Sequence, residues 1–186
     1  TSSKLITVTN NTKIWNGTDD LWDDDENWKP LGKPTASSCI IIPDTTFDPI
    51  ISGTNYEAFG KNINVKNGGN LTINSNNNIT ITDEVLIKTG GIFDIQNSAS
   101  LIQTNDAAVN NGFIKMTRTT RPMTRWGYVY WGTPVAENIF SQIPSQFDLK
   151  YRWQSGTSTG TWMSLSNGLG VGKGLCALGS CTLKVH

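Results

Sequence analysis

Gly68-Gly69-Asn70-Leu71-Thr72-Ile73 returns 22 residues later as Gly90-Gly91-Ile92-Phe93-Asp94-Ile95. It returns once more, one residue shorter, as Asn111-Gly112-Phe113-Ile114-Lys115-Met116. Ile79-Thr80-Ile81 and Leu101-Ile102-Gln103 lie between these, again one period apart. A fixed beat of this length, carried by short alternating segments, is the mark of a solenoid in which each repeat stacks on the last. With no helical segment in the period, the expected fold is all-β: a parallel β-helix with about 22 residues per coil.

Alternation sets the expected core. A strand sends every second side chain to the same face, so Ile63/Val65, Leu71/Ile73, Ile79/Ile81 and Val85/Ile87 should point inward. Strands are expected at 62–65, 71–73, 79–81, 85–87, 92–95, 100–103 and 113–117. The corner Asn74-Ser75-Asn76-Asn77-Asn78 suits a tight turn, because Asn tolerates the left-handed region, and its amides are candidates for ladders between coils.

Outward from the coils the texture changes twice. Residues 1–43 read as an opening segment or cap. It holds a first strand, Leu5–Thr9, an acidic stretch from Asp19 to Glu26, three tryptophans, and the run Cys39-Ile40-Ile41-Ile42 before Pro43. That run is short, β-branched and stopped by proline, so it reads as a buried strand. Residues 44–117 carry the coils. Residues 118–186 begin with a basic stretch and continue with aromatics, which reads as a small aromatic-rich β cap. A solenoid needs a cap, because an open last coil exposes core and strand edge.

Composition narrows the function. Fifteen basic and fifteen acidic residues give a formal net charge of zero, and charged residues are 16% of the chain. That balance does not describe a general nucleic-acid or membrane-surface binder. No stretch approaches the ~18 apolar residues of a membrane span, so membrane insertion is not expected. Thr1-Ser2-Ser3-Lys4 is not a signal peptide, which fits a mature or trimmed form or a cytosolic protein. Three cysteines leave one odd; Cys176 and Cys181 are near enough in sequence for a small-loop disulfide. The single histidine is His186, and no Cys/His spacing suits zinc.

Several motifs fall in order along the chain. They are Trp15-Asn16-Gly17, then Trp22-Asp23-Asp24-Asp25-Glu26-Asn27-Trp28, then Gly32-Lys33-Pro34-Thr35-Ala36-Ser37, then Ile41-Ile42-Pro43 and Pro49-Ile50. After Asn62-Ile63-Asn64-Val65 come Ala99-Ser100-Leu101-Ile102-Gln103, the stretch from Arg118 to Met123, and Tyr128-Val129-Tyr130-Trp131-Gly132-Thr133-Pro134-Val135. Over residues 13–174 this series resembles a module of secreted Bacteroidetes surface proteins, many of them type IX secretion substrates. The resemblance implies a right-handed β-solenoid in a stalk or adhesin part of a large extracellular, cell-surface protein, including proteins linked to gliding and attachment. Its implied partners are other domains of that protein, the secretion machinery and surface glycans. It brings no catalytic residues. The family's C-terminal sorting domain is not visible, and residues 175–186 depart from its pattern, so the chain reads as a fragment or proteolytic product.

Four groups of residues are weighed for chemistry. Asp19, Asp20, Asp23, Asp24 and Asp25 offer the hard oxygens that Ca²⁺ takes, although the spacing is not that of an EF-hand; the favoured reading is a solvated acidic turn, with no cofactor. Lys115, Arg118, Arg121 and Arg125 suit an anionic glycan or stacked nucleic acid, but read better as structural charges that pair with the acidic stretch or a neighbouring domain. Trp126, Tyr128, Tyr130, Trp131, Tyr151, Trp153 and Trp162 are candidates for a sugar-stacking platform, with a cap core as the plainer account. Alternation puts Trp126, Tyr128 and Tyr130 on one face and Trp131 on the other. Asp83, Glu84, Asp94 and Asp106 are the acids of the coils, and Asp83/Glu84 lie one period from Asp106, the arrangement a β-helix polysaccharide lyase or hydrolase would need. The expected function is a non-enzymatic structural or adhesive segment, ahead of a glycan-binding module and of such an enzyme.

Overall fold

The computed structural model describes residues 11–120, 122, 128–132, 150–155, 159–164, 174–178 and 182–185. The segment Leu5–Thr9, expected as a first strand, lies outside them, as do Arg121, Arg125, Trp126, Cys181 and His186. Two compact units divide the chain, Thr1–Lys115 and Met116–His186.

The first unit is a β-solenoid. Its strands are β1 (Thr12–Trp15), β2 (Trp28–Lys29), β3 (Cys39–Ile42), β4 (Ile50–Ile51), β5 (Glu57–Gly60) and β6 (Asn62–Val65). They continue as β7 (Asn70–Ile73), β8 (Asn78–Ile81), β9 (Val85–Ile87), β10 (Ile92–Ile95) and β11 (Ser100–Gln103). Three faces result: β1-β3-β6-β9, β4-β7-β10 and β5-β8-β11, with parallel neighbours throughout. From β3 onward each coil contributes one strand to each face. Ile92 pairs with Asn70 and Ser100 with Asn78, both 22 residues apart. Cys39 pairs with Asn62 and Glu57 with Asn78, so the period breathes by one residue at the corners. The parallel stack therefore takes in Thr12–Trp15 and Cys39–Ile42, upstream of residue 44.

The register lines up inward side chains as columns. Ile40, Ile63 and Val85 form one, Ile42, Val65 and Ile87 a second, and Ile51, Ile73 and Ile95 a third, and all nine are buried. Leu71, Phe93, Ile79 and Ile81 fill the remainder. Each such side chain stabilises the fold by about 1.5–3 kcal/mol relative to exposure. β5 turns Ala58 and Gly60 inward instead. A Cβ on Gly60 would lie 2.5 Å from the Ile40 Cδ1 and 2.9 Å from the Ile81 Cδ1, so its neighbours already occupy that volume.

The paired glycines mark the corner that precedes the second face. The first of each pair has a left-handed backbone, φ 77° at Gly68 and 83° at Gly90. The second packs against the chain's own carbonyls: a Cβ on Gly69 would lie 2.5 Å from the Ile42 oxygen, and one on Gly91 2.7 Å from the Lys66 oxygen. Side chains are thus excluded at both positions for different reasons. At the next corner Asn76 takes φ 65°. Within the Asn74–Asn78 corner the Asn77 amide does not extend a ladder to the next coil. Asn77 instead brackets backbone, accepting from the Tyr56 N–H at 2.8 Å and donating to the Ser75 carbonyl at 2.9 Å. The residue one period on is Ala99, which has no amide to offer.

At the N-terminal end β2 turns back antiparallel on β1, pairing Trp28 with Trp15. Trp15, Trp22 and Trp28 are fully buried there. Trp28 meets Trp15 edge to face at 5.1 Å between ring centroids and Trp22 at 4.8 Å. Two of the three buried indoles donate to backbone: Trp15 Nε1 to the Phe47 carbonyl at 2.7 Å and Trp28 Nε1 to the Trp22 carbonyl at 2.9 Å.

In the second unit β12 (Lys115–Thr119), which begins at the boundary, pairs antiparallel with β17 (Thr182–Val185). β13 (Tyr128–Gly132), β14 (Lys150–Gln154), β15 (Thr161–Ser164) and β16 (Gly174–Leu178) form an antiparallel sheet in the order β13-β16-β14-β15. No helix among the described residues is long and apolar enough to cross a membrane.

Candidate functional site

The acidic stretch is organised by Asn27. This side chain is fully buried, on the 3₁₀ turn Asp25–Asn27. Its Oδ1 accepts from the Thr18 and Asp19 backbone N–H groups, at 2.9 and 3.1 Å, and from the Thr18 hydroxyl. Its Nδ2 donates to Asp19 Oδ1 at 2.6 Å and to the Leu21 carbonyl at 2.9 Å. Asp19 also accepts from the Leu21 N–H at 2.8 Å. Asp24 caps the 3₁₀ turn through the Glu26 N–H, and Asp25 accepts from the Lys33 N–H. Three of the five candidate Ca²⁺ ligands therefore hold loop backbone, while Asp20 and Asp23 are exposed. Among the described residues no group of three or more acids, cysteines or histidines converges on one point. Asn27 carried no sequence signal of its own beyond its place between two motif tryptophans.

These contacts shape the electrostatics. The Leu21 N–H, and after it the Asn27 amide, hold the Asp19 carboxyl below its ordinary 3.8. Burial raises the Tyr56 phenol above its ordinary value, and the nearby Asp23 and Asp25 add to this. A carboxyl depressed on folding contributes stability above its unfolded pKa and loses it as pH falls through the folded one. Asp19→Asn is therefore expected to lower stability at pH 7. The gap between the variant and the parent should close on acidification below 3.8; urea midpoints taken from pH 7 downward read it directly.

The acids of the coils are dispersed. Asp83 Oδ1 accepts from Asn105 Nδ2 at 2.9 Å, one coil on, and Asp106 is exposed. The neighbour one period from Asp83 is thus an amide rather than a second carboxylate. Asp94 is buried and ion-pairs with Lys115 at 2.5 Å, the side chains 12% and 34% exposed. Lys115 is bound to the coils by this pair, not to the acidic stretch. Asp94 Oδ1 has no hydrogen-bond partner, so the lysine is the main compensation for that charge. Lys115→Met is expected to cost about 1–2 kcal/mol, less than a fully buried pair because Lys115 is a third exposed. Adding Asp94→Leu should recover most of the loss in urea unfolding, since an apolar pair needs no compensation.

The aromatic candidates separate by register. Tyr130 pairs with Cys176, Cys176 with Tyr151, Tyr151 with Ser164 and Trp153 with Trp162. Paired residues share a face, so Tyr130, Tyr151, Trp153 and Trp162 lie on one side of the sheet; the side chains of Tyr128 and Trp131 lie outside the described ones. Tyr130, Trp153 and Trp162 are 73%, 51% and 48% exposed, which is not the environment of a cap core. Trp153 and Trp162 meet edge to face at 5.2 Å, and Tyr130 tilts toward Trp162 at 6.5 Å. Tyr151 is half-buried.

No curated protein matches the chain, and no solved structure does. A family model does match, over residues 14–184, and the chain belongs to that family, the domain of unknown function DUF8693.

Proposed function

We propose that this chain is a non-enzymatic structural or adhesive segment of a secreted bacterial cell-surface protein, of the Bacteroidetes type IX kind that its motifs resemble. The observation that carries the reading is how the coils use their residues. Inward columns are aliphatic, the N-terminal end is closed by Trp15, Trp22 and Trp28, and Asp19, Asp24, Asp25, Asp83 and Asp94 each hold a loop, a turn or a neighbouring coil. A stack of this kind holds whatever is fused to its ends at a fixed spacing. Its partners in this reading are further domains of the same protein and the secretion machinery that exports it.

Location and inertness are both measurable. Antibody raised against the chain should label intact cells of the source organism, and external protease should remove the label. Label confined to the cell interior would sink the proposal. So would release of reducing ends from a panel of polysaccharides incubated with the purified chain.

A further inference from the structure

Among the residues whose side chains are described, the face that carries Tyr130 also carries Tyr151, Trp153, Trp162 and Ser164 by register, and none of these is charged. Arg152 alternates to the opposite face. A neutral aromatic face therefore stands in water with three rings about half exposed or more. Contiguous exposed apolar surface of this kind marks an interaction site.

The rings are also seated. A Cβ on Gly160 would fall 2.1 Å from Trp153 Cζ2, so the absence of a side chain there lets the indole lie against the backbone. Trp162 is held by its cross-strand partner Trp153, and Tyr130 reaches it from β13. Rings fixed in this way lose little entropy on binding. Each combines a flat apolar face with one polar edge, the Tyr hydroxyl or the indole N–H. A pyranose has the complementary make-up, with axial C–H groups on its faces and hydroxyls around its rim. A lipid chain would leave the polar edges unmatched, and an anionic ligand would find no cation among the described side chains of this face.

We propose that the face formed by Tyr130, Trp153 and Trp162 binds a neutral pyranose glycan by ring stacking. The proposal rests on the non-enzymatic reading only in that the glycan is held rather than cut. The test is an array of defined neutral and acidic oligosaccharides probed with the full chain, with and without Ca²⁺, followed by titration of the retained sugars against intrinsic tryptophan fluorescence. Neutral pyranose oligosaccharides should be retained in both conditions. Tyr130→Ala and Trp162→Ala should each weaken binding by roughly tenfold, the scale of one aromatic contact. Trp162→Ala also removes the partner of Trp153 and loosens the β14–β15 hairpin. Tyr130→Ala sits on another strand and keeps the test decisive. A blank array from a folded chain overturns the proposal, as does binding that Tyr130→Ala leaves unchanged. A concentration-dependent dimer that Tyr130→Ala abolishes would give the face to a second copy and overturn it too. Sugar bound here but recovered shortened would uphold the site and overturn only the non-enzymatic reading.

Discussion

Trp28→Ala is expected to destabilise the first unit by about 3–5 kcal/mol, the range for removing a large aromatic from a packed core. Three losses combine. The buried indole leaves a cavity at the point where Trp15 and Trp22 both lean on it, at 5.1 and 4.8 Å. The Trp22 carbonyl loses its donor, the Trp28 Nε1. The short β2 strand, only Trp28–Lys29, keeps little to hold it against β1. In a stacked repeat the end unit has a neighbour on one side only, so damage there exposes the next coil rather than being shared. Urea unfolding followed by far-UV circular dichroism should show a lower midpoint. A shallower slope would mean that the first coils open ahead of the others. A midpoint within experimental error of the parent would show that the tryptophan cluster does not act as the end seal.

Gly91→Ala should cost about 3 kcal/mol, at the upper end of the overpacking range. The added methyl would meet the Lys66 oxygen at 2.7 Å and the Lys88 and Val65 oxygens at 3.1 Å, all of them backbone. Side chains can rotate away from a clash, but these carbonyls are held as hydrogen-bond acceptors. The Lys66 carbonyl accepts from the Gly69 N–H at 3.0 Å, the Lys88 carbonyl from the Gly91 N–H at 2.8 Å and the Val65 carbonyl, across coils, from the Lys88 N–H at 2.9 Å. Making room for the methyl means lengthening those bonds. Lys61→Ala, an exposed position on the first face's approach, is the control and should fall within about 0.5 kcal/mol. Equal effects from the two substitutions would refute the reading of the glycine pair as a point of coil-to-coil contact.

The coils were legible because the same two physical rules act in every turn. Period-two alternation fixes which side chains go in, and a glycine pair fixes where the chain bends. Strands with that signature, from Asn62–Val65 through Ser100–Gln103, match their expected positions closely. Ile50–Ile51 and Glu57–Gly60 were not expected as strands. The first is only two residues long. The second turns Ala58 and Gly60 inward, where Ile40 and Ile81 reach across to fill the space, and small residues leave no hydrophobic beat to read. The last expected strand, 113–117, begins instead at Lys115, and Phe113 stands exposed before it.

The candidate sites were less legible, because charge and aromaticity name a residue's chemistry but not its neighbours. Five aspartates in a row of seven residues left a solvated turn and a cation site both open on sequence, the turn favoured; what sequence did not show is that Asn27 and the backbone N–H groups of Leu21, Glu26 and Lys33 bond Asp19, Asp24 and Asp25. The aromatic stretch looked more like core than platform. Alternation was the one guide to which of these rings share a face. What alternation could not supply was which strand lies beside which. That order brings Trp153 and Trp162, 23 and 32 residues further along the chain, to the same face as Tyr130.

The 22-residue offset between Asn70 and Ile92 also makes the stack a ruler with fixed graduations. A duplication of one such stretch in the gene would insert a coil whose faces, corners and inward columns already match those above and below. Length would grow by about 4.8 Å per copy, the spacing of neighbouring strands. Reach can therefore change by whole steps through recombination alone, leaving the tryptophan seal at one end and the sequence beyond the last coil as they are.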